Sequence, residues 1–432
     1  MKCAFYEKEI TPPIGSDIPG YYMHRYTTGV KDKLYAKAAV FEGDNGKIAA
    51  ILVLDAVDIL TPFQKAVAAR VTEFTGIPAE KLAIIANHTH YGIPQGDVIS
   101  DRDAEFCSVL ERLAADCVIL AWQRLENCTL SYGIGKEETV AFNRDFVMKD
   151  GAVATNVRNK EEIVRPYDGI DPDLPVLVAK NEAGKVMGTL FTYALHQDTT
   201  GGVEYSGDYA SEISYALKEK FGYQMVSIYL PGCCGDINHL DPIGGTKRGH
   251  REIGRTLAGE ISRVVKEETE AVTENTVFTA YRSVPMVRRR ATKEQIEKAK
   301  WILEDTANRT TKYDMTGQNA SLMLKYEEAF KDAPKTVDVP VQVFRIGEVW
   351  MLIFPFEVYH QFGLRMKAAC PGGKWLMSEL ANITPGYVPV PELFGTDAYP
   401  AQLCHGSFLM PEAGDQLVEA IVGLIDKLKE KI

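Results

Sequence analysis

The sequence reads as an α/β protein of mixed β-sheets flanked by helices, and three observations predict this. From Lys47 onward, apolar runs of strand length alternate with longer runs of helical period. Several of the apolar runs end in a histidine or a carboxylate, as strands do where they open on the functional crevice of an α/β sheet. At 432 residues, with 46% hydrophobic and 25% charged, the chain has the size for a large core and an ordinary globular composition.

The elements follow in order. Ile48 to Leu54 reads as a strand, Pro62 to Thr75 as a helix, Leu82 to Ala86 as a strand, Asp103 to Leu125 as a helix, and Thr129 to Gly135 as a further strand. Glu138 to Lys185 is richer in turn residues and carries the hairpin signal Lys149-Asp150-Gly151, so it is placed to supply loops over the active face. A strand from Val186 to Leu195, a helix from Ser206 to Phe221, a strand from Met225 to Leu230 and a helix from about Arg248 to Glu270 come next. The C-terminal third begins with a strand from Val277 to Val287, helices Lys293 to Glu304 and Ser321 to Lys331, and strands Val337 to Ile346 and Val349 to Phe354. A helix from Val358 to Ala369, a strand from Trp375 to Leu380 and a terminal helix from about Ala413 complete it. No linker, internal repeat or low-complexity tract divides the chain, so residues 1–432 read as one domain. The charged helical stretch 291–335 carries no candidate chemistry and reads as a lid or insertion.

Charge and composition exclude several functions. A formal net charge of -11 argues against non-specific binding to nucleic acid or anionic membranes, both of which need a basic face. Arg288-Arg289-Arg290 is the one strong basic run and reads as a solvated strand end. No stretch reaches the roughly 18 apolar residues that span a bilayer. The N-terminus has no apolar leader pattern, so the chain as written reads as cytoplasmic, with a trimmed signal peptide as the alternative. The eight Cys are scattered and read as mostly buried thiols, with Cys233-Cys234 in a tight Gly-flanked turn.

The chemistry begins with His88 and His90, which follow the apolar run Leu82 to Ala86. On an extended chain residues i and i+2 face the same way, so both imidazoles are expected in one crevice. His196 follows the strand that starts at Val186, and Glu357 follows the strand that starts at Val349. Two His and one carboxylate with an open position form a catalytic zinc set. Asp236, in the turn Gly232-Cys-Cys-Gly-Asp236, is placed to orient a ligand or hold a second cation, or to close an Asx turn. Ser206 and Asp208 are placed to cap a helix whose first N–H groups could equally receive an anion, and Asp208, like Asp236, is a candidate to orient a ligand or hold a second cation. Arg144 is a candidate grip on a carboxylate or amide oxygen, and Tyr387 is displayed in the Gly/Pro-punctuated loop Asn382 to Pro391.

With these residues the chain resembles the neutral/alkaline non-lysosomal ceramidase family, specifically its catalytic domain and the shorter bacterial proteins related to it. The motifs run nearly end to end: Glu9-Ile-Thr-Pro-Pro13, Leu34-Tyr-Ala-Lys-Ala38, Asn87-His-Thr-His90, Asn143-Arg144, Ile170-Asp171-Pro172, Ser206-Gly-Asp-Tyr209, Gly235-Asp236 and Gly386-Tyr-Val388. The resemblance implies one Zn2+ held by His88, His196, Glu357 and Tyr387, with His90 and Arg144 facing a small-molecule amide substrate. It implies hydrolysis of a linear amide by metal-activated water, with His90 as proton shuttle. Asn238 and His239 stand where the family usually has Ser and Pro, which removes a serine-nucleophile version. As written, the chain stops after the catalytic region, without the family's immunoglobulin-like C-terminal domain or an apolar membrane-docking stretch, so the expected substrate is ceramide or another N-acyl compound, with a smaller and more polar amide as the alternative. Two other readings compete. An amidohydrolase-type barrel would place H-x-H after its first strand, and a non-catalytic protein could keep the metal for ligand binding alone.

Overall fold

The computed structural model describes residues 1–21, 23–95, 101–157, 159–245, 247–305, 316–383, 386–396 and 398–431. Two sheets stack face to face, with helices covering each outer side. The large sheet contains β1 (Lys2–Glu9), β2 (Tyr35–Glu42), β3 (Ile48–Leu54), β4 (Leu82–Ala86), β5 (Glu126–Lys136), β6 (Asp173–Asn181), β7 (Val186–Tyr193), β8 (Val226–Pro231) and the short β9 (Glu270–Val272). Its order is β8-β7-β6-β5-β1-β2-β3-β4, with β9 paired to β5. The small sheet runs β10 (Val277–Val287), β11 (Thr336–Ile346), β12 (Val349–Ile353) and β13 (Trp375–Ser378), in that order.

Burial on both faces explains why so many strands are apolar throughout. In β3, Ala50, Leu52 and Leu54 pack with Phe63 and Val67 of α1 (Thr61–Thr75) and Leu110 and Val118 of α2 (Asp101–Trp122). The alternate residues Ala49, Ile51 and Val53 pack with Phe344, Met351 and Leu376 of the small sheet. The same division recurs elsewhere. Val176 and Phe191 pack with Ile213 of α3 (Asp208–Phe221) and Leu257 of α4 (His250–Glu267), while Leu177 and Leu190 face the other sheet. α5 (Lys293–Glu304) and α6 (Thr316–Ala329) pack on each other through Ala299, Ile302 and Ala320. Val341 and Leu352 meet Phe362 of α7 (His360–Ala368) and Leu417 of α8 (Ala413–Lys429), completing the fourth layer.

Within the two sheets three strand pairs are parallel among the described residues: β3 with β4, β7 with β8, and β12 with β13. Each is a strand-helix-strand unit, joined through α1, α3 and α7 respectively. Strands of such a unit run the same way, so their carboxyl ends open together, and His88, His196, Asp236 and Glu357 follow within a few residues of those ends.

The elements read from the sequence are present within a few residues, except that α6 begins at Thr316; among the strands that the reading passed over are β1, β2, β6, the short β9 and a separate minor sheet of Asp145–Met148, Val153–Thr155 and Ile163–Pro166. The eight Cys are free, and seven are buried. Among the described residues no helix is long and apolar enough to cross a membrane.

Candidate metal centre and its cavity

β4 leads through Asn87 to His88, where the backbone turns into the left-handed region at φ 75°. The expected extended geometry is therefore absent, and it is this turn that brings His88 and His90 together, with ring centroids 5.0 Å apart. A non-glycine residue held there costs about 1–3 kcal/mol unless its surroundings enforce it. They do: His88 N donates to Ala56 O at 2.9 Å, and Asn87 Nδ2 donates to the buried Asp55 carboxylate at 2.6 Å. Phe356, at φ 78°, makes the same departure before Glu357. Glu357 is a register partner of Tyr387 in a two-residue parallel bridge.

The ring orientations decide what the histidines offer. His88 Nδ1 lies 2.8 Å from the Val57 carbonyl, and His196 Nδ1 lies 3.4 Å from the Cys234 carbonyl. A carbonyl only accepts, so each Nδ1 carries the ring proton and each Nε2 presents a lone pair. The two Nε2 atoms are 3.0 Å apart. Glu357 Oε2, buried and without a hydrogen-bond partner, lies 3.3 Å from His88 Nε2 and 3.5 Å from His196 Nε2. Lone pairs at these distances repel unless a cation lies between them. In a tetrahedral zinc site with bonds of about 2.0–2.1 Å, neighbouring ligand atoms are roughly 3.3 Å apart. The donor set therefore fits a divalent cation. Protons compete for the same place: burial depresses the basicity of His88, but the Glu357 carboxylate outweighs it and raises the imidazole above its ordinary value. Burial, followed by His88 and Arg144, holds His196 well below its own.

His90 belongs to the same cluster, since ligand atoms of His88, His90 and His196 lie within 4.8 Å of one another. Glu357 is the better third donor, because it approaches both Nε2 atoms within 3.5 Å. Both ring nitrogens of His90 are buried without partners, and burial lowers its pKa to about 4. Arg144 donates through Nη2 and Nε to Gly235 O at 2.6 and 3.1 Å, and its guanidinium lies 5.2 Å from the Tyr387 ring centre. Tyr387 hydrogen-bonds with both Arg144 and Glu357. Burial pushes the Glu357 carboxyl up, but His88, Arg144 and Tyr387 together hold it below its ordinary value.

The carboxylates expected to orient ligands sit elsewhere, because backbone carbonyls occupy both Nδ1 positions. Asp236 accepts from His360 N at 2.9 Å and Asn143 Nδ2 at 2.9 Å, and contacts His360 Nδ1 at 2.6 Å. Asp208 receives Thr199 N at 2.9 Å and Thr200 N at 3.0 Å, so its carboxylate holds the loop after His196. Sequence reasoning missed Glu379. It lies one residue past β13, the same strand-end signal that marked the others, and it accepts from Val358 N at 2.7 Å and Cys234 N at 3.2 Å. It also missed Asp198, which takes the hydroxyls of Tyr21 and Tyr91 beside His90.

These residues open on a cavity of about 1230 Å³, lined by His90, His196, Arg144, Tyr387, Tyr21 and Asp198. The helical stretch read as a lid supplies Lys298, Ile302 and Met323 to its lining, with residues 306–315 lying outside the described residues.

No protein-family model matches the sequence, and no curated protein does. Solved structures do match. A ceramidase complexed with C2 aligns at a TM-score of 0.76 with 16% identity, covering 100% of this chain and 75% of that one. The neutral ceramidase from Pseudomonas aeruginosa aligns at 0.74 with 18% identity and the same coverage. This chain has the ceramidase fold. The architecture implied by the sequence motifs is thus present, and the ceramidase-like fold carries a cluster of donors at the ends of its parallel strands.

Proposed function

We propose that this protein is a zinc-dependent hydrolase of linear amides, acting on an N-acyl compound that is ceramide-like or smaller and more polar. The observation that carries the proposal is the convergence of His88 Nε2, His196 Nε2 and Glu357 Oε2 within 3.5 Å, next to a large cavity. Those residues would hold the metal, with Tyr387 as the fourth ligand that the family resemblance implies. When bound, the metal supplies Lewis acidity to the amide carbonyl and acidity to a water molecule.

The chain's own groups do the rest. His90 is neutral near pH 7, with both ring nitrogens unengaged, so it accepts the proton that water loses on attack and passes it to the departing nitrogen. Arg144 keeps its charge despite complete burial, because Tyr387 and Glu357 surround it. Its fixed position over Tyr387 places positive potential where the carbonyl oxygen gains charge. A closed structural zinc site would need neither group.

Elemental analysis of purified wild type and of His88→Ala/His196→Ala, followed by turnover of a panel of N-acyl amides, tests the reading. The expected result is about one zinc per chain, absent from the double variant together with hydrolysis. A folded wild type that takes up no divalent metal would sink the mechanism.

A further inference from the structure

The basic run Arg288-Arg289-Arg290, read from the sequence as a solvated strand end, is divided by the fold. Arg288 lies over the Phe330 and Phe408 rings at 4.9 and 5.0 Å, and Arg290 pairs with Glu327 at 2.7 Å. Arg289 and Arg290 both line the cavity, but only Arg290 has a carboxylate partner there. Its Nη1 donates to Ala401 O at 2.7 Å, its Nη2 donates to Ser407 O at 2.9 Å, and its Nε is buried without a partner. Its guanidinium stacks 4.8 Å from the Phe394 ring centre, and no carboxylate pairs with it among the described residues. Burial lowers its pKa only to about 10, so it remains a cation. The side chain is partly buried, and a partly desolvated cation that has no counter-ion from the fold is a place where a ligand can supply the opposite charge.

Two further observations tie this cation to the proposed reaction. The Tyr387 and Tyr399 rings meet at 5.5 Å, and Tyr399 opens the short turn Tyr399–Ala401 whose last carbonyl accepts from Arg289. One aromatic pair and one turn therefore connect the metal centre to Arg289 within a single cavity. Lys298, exposed on α5, lines the same cavity and forms no ion pair among the described residues. A substrate that is uncharged throughout leaves both cations unanswered.

We propose that Arg289, with Lys298 near it, forms a subsite for an anionic carboxylate carried by the substrate at a distance from the scissile amide. This rests on the amide-hydrolase reading and narrows it, from N-acyl compounds in general to those bearing a terminal carboxylate.

The test uses a chain-length series of ω-carboxyacyl para-nitroanilides, each beside its uncharged ω-carboxamide isostere, with wild type, Arg289→Met, Arg289→Lys and Lys298→Gln. In wild type, kcat/KM for the carboxylate exceeds that for its isostere by about 10- to 100-fold at one preferred length, the range set by a charge-assisted hydrogen bond. Arg289→Met brings that ratio near one by raising KM for the carboxylate, Arg289→Lys retains part of it, and Lys298→Gln lowers it a few-fold. Equal turnover of both series at every length, or a ratio that survives Arg289→Met, overturns the subsite. Arg289 also anchors two carbonyls, so Arg289→Lys and Lys298→Gln keep the question open to measurement if Arg289→Met fails to fold. If no anilide is cleaved, the hydrolase reading fails on its own, and calorimetry with the ω-carboxyacyl amides decides the subsite. Binding that weakens at least tenfold in the Arg289 variants supports it, and no carboxylate-dependent binding overturns it.

Discussion

His88 and His196 come from the large sheet, and each seats its Nδ1 on a carbonyl next to that sheet's strand ends, Val57 after β3 and Cys234 after β8. Glu357 and Tyr387 come from the small-sheet side and reach the centre through a two-residue bridge. The histidines are aimed by groups of their own layer, whereas Glu357 depends on contacts across the layers. Arg144 and Glu379 make those contacts: Glu379 binds Val358 N on one side and Cys234 N on the other, and its own N donates to Pro231 O at 2.9 Å. The difference teaches that half of the centre is preorganised by local backbone and half by the docking of two sheets. A metal at this point would join them.

The largest effect comes from removing the preorganised half. His88→Ala/His196→Ala is expected to lower turnover to below about a thousandth of wild type, with zinc lost and near-native circular dichroism retained. Next comes the bridge between halves. Glu379→Gln replaces one of its carboxylate acceptors with an amide donor, and a chelator competition should read metal affinity weakened by about 10–100-fold, the range for groups that orient ligands. Unchanged affinity would show that Glu357 is aimed without Glu379.

Metal removal sharpens the comparison further. A ligand at a hundredfold excess over its Kd stabilises by roughly 2.7 kcal/mol, so chelation should lower the calorimetric Tm by a few degrees. Hydrogen exchange should then rise around 356–360 more than around 86–90, because the histidine side keeps its own carbonyl anchors. Equal loosening of both would contradict the asymmetry.

The smallest effect concerns pH and the support under His88. Burial pushes the Asp55 carboxyl up to about 6, against the pull of Lys37. A raised acid pKa means the folded state keeps its proton while the unfolded chain has released it. Its contribution therefore favours folding below the ordinary carboxylate range and is lost as pH rises through about 6. Asp55→Asn should flatten that part of the urea stability profile between pH 4 and 7 by about 2 kcal/mol.

Much of this was legible along the chain. The strands preceding His88, His196 and Glu357 read as apolar runs because sheet stacking buries both their faces. β6 was harder to see, since Pro175 interrupts it; pairing to β7 begins only at Val176, beyond the proline. β1 mixes charges among its apolar residues, and β2 is rich in Ala, so neither looked like a covered strand. In the site, Glu379 had the same strand-end position as Glu357, but its role depends on Leu380 and Asn382 at positive φ, which carry the chain from the small sheet to an isolated bridge with β4. Nothing local announces such a crossing.

The sequence by itself determined which donors stand at strand ends, which segments alternate as strand, helix and strand, and a formal net charge of -11. Only the tertiary structure decided that His88 leaves the extended path, that two Nε2 lone pairs and one carboxylate oxygen meet within 3.5 Å, and that Arg289 reaches the cavity without a carboxylate while its neighbours find rings and a glutamate. The physical reason is range. Periods of 2 and 3.6 record how each segment is buried, whereas the meeting of donors depends on the register and docking of sheets whose contacts join residues hundreds of positions apart.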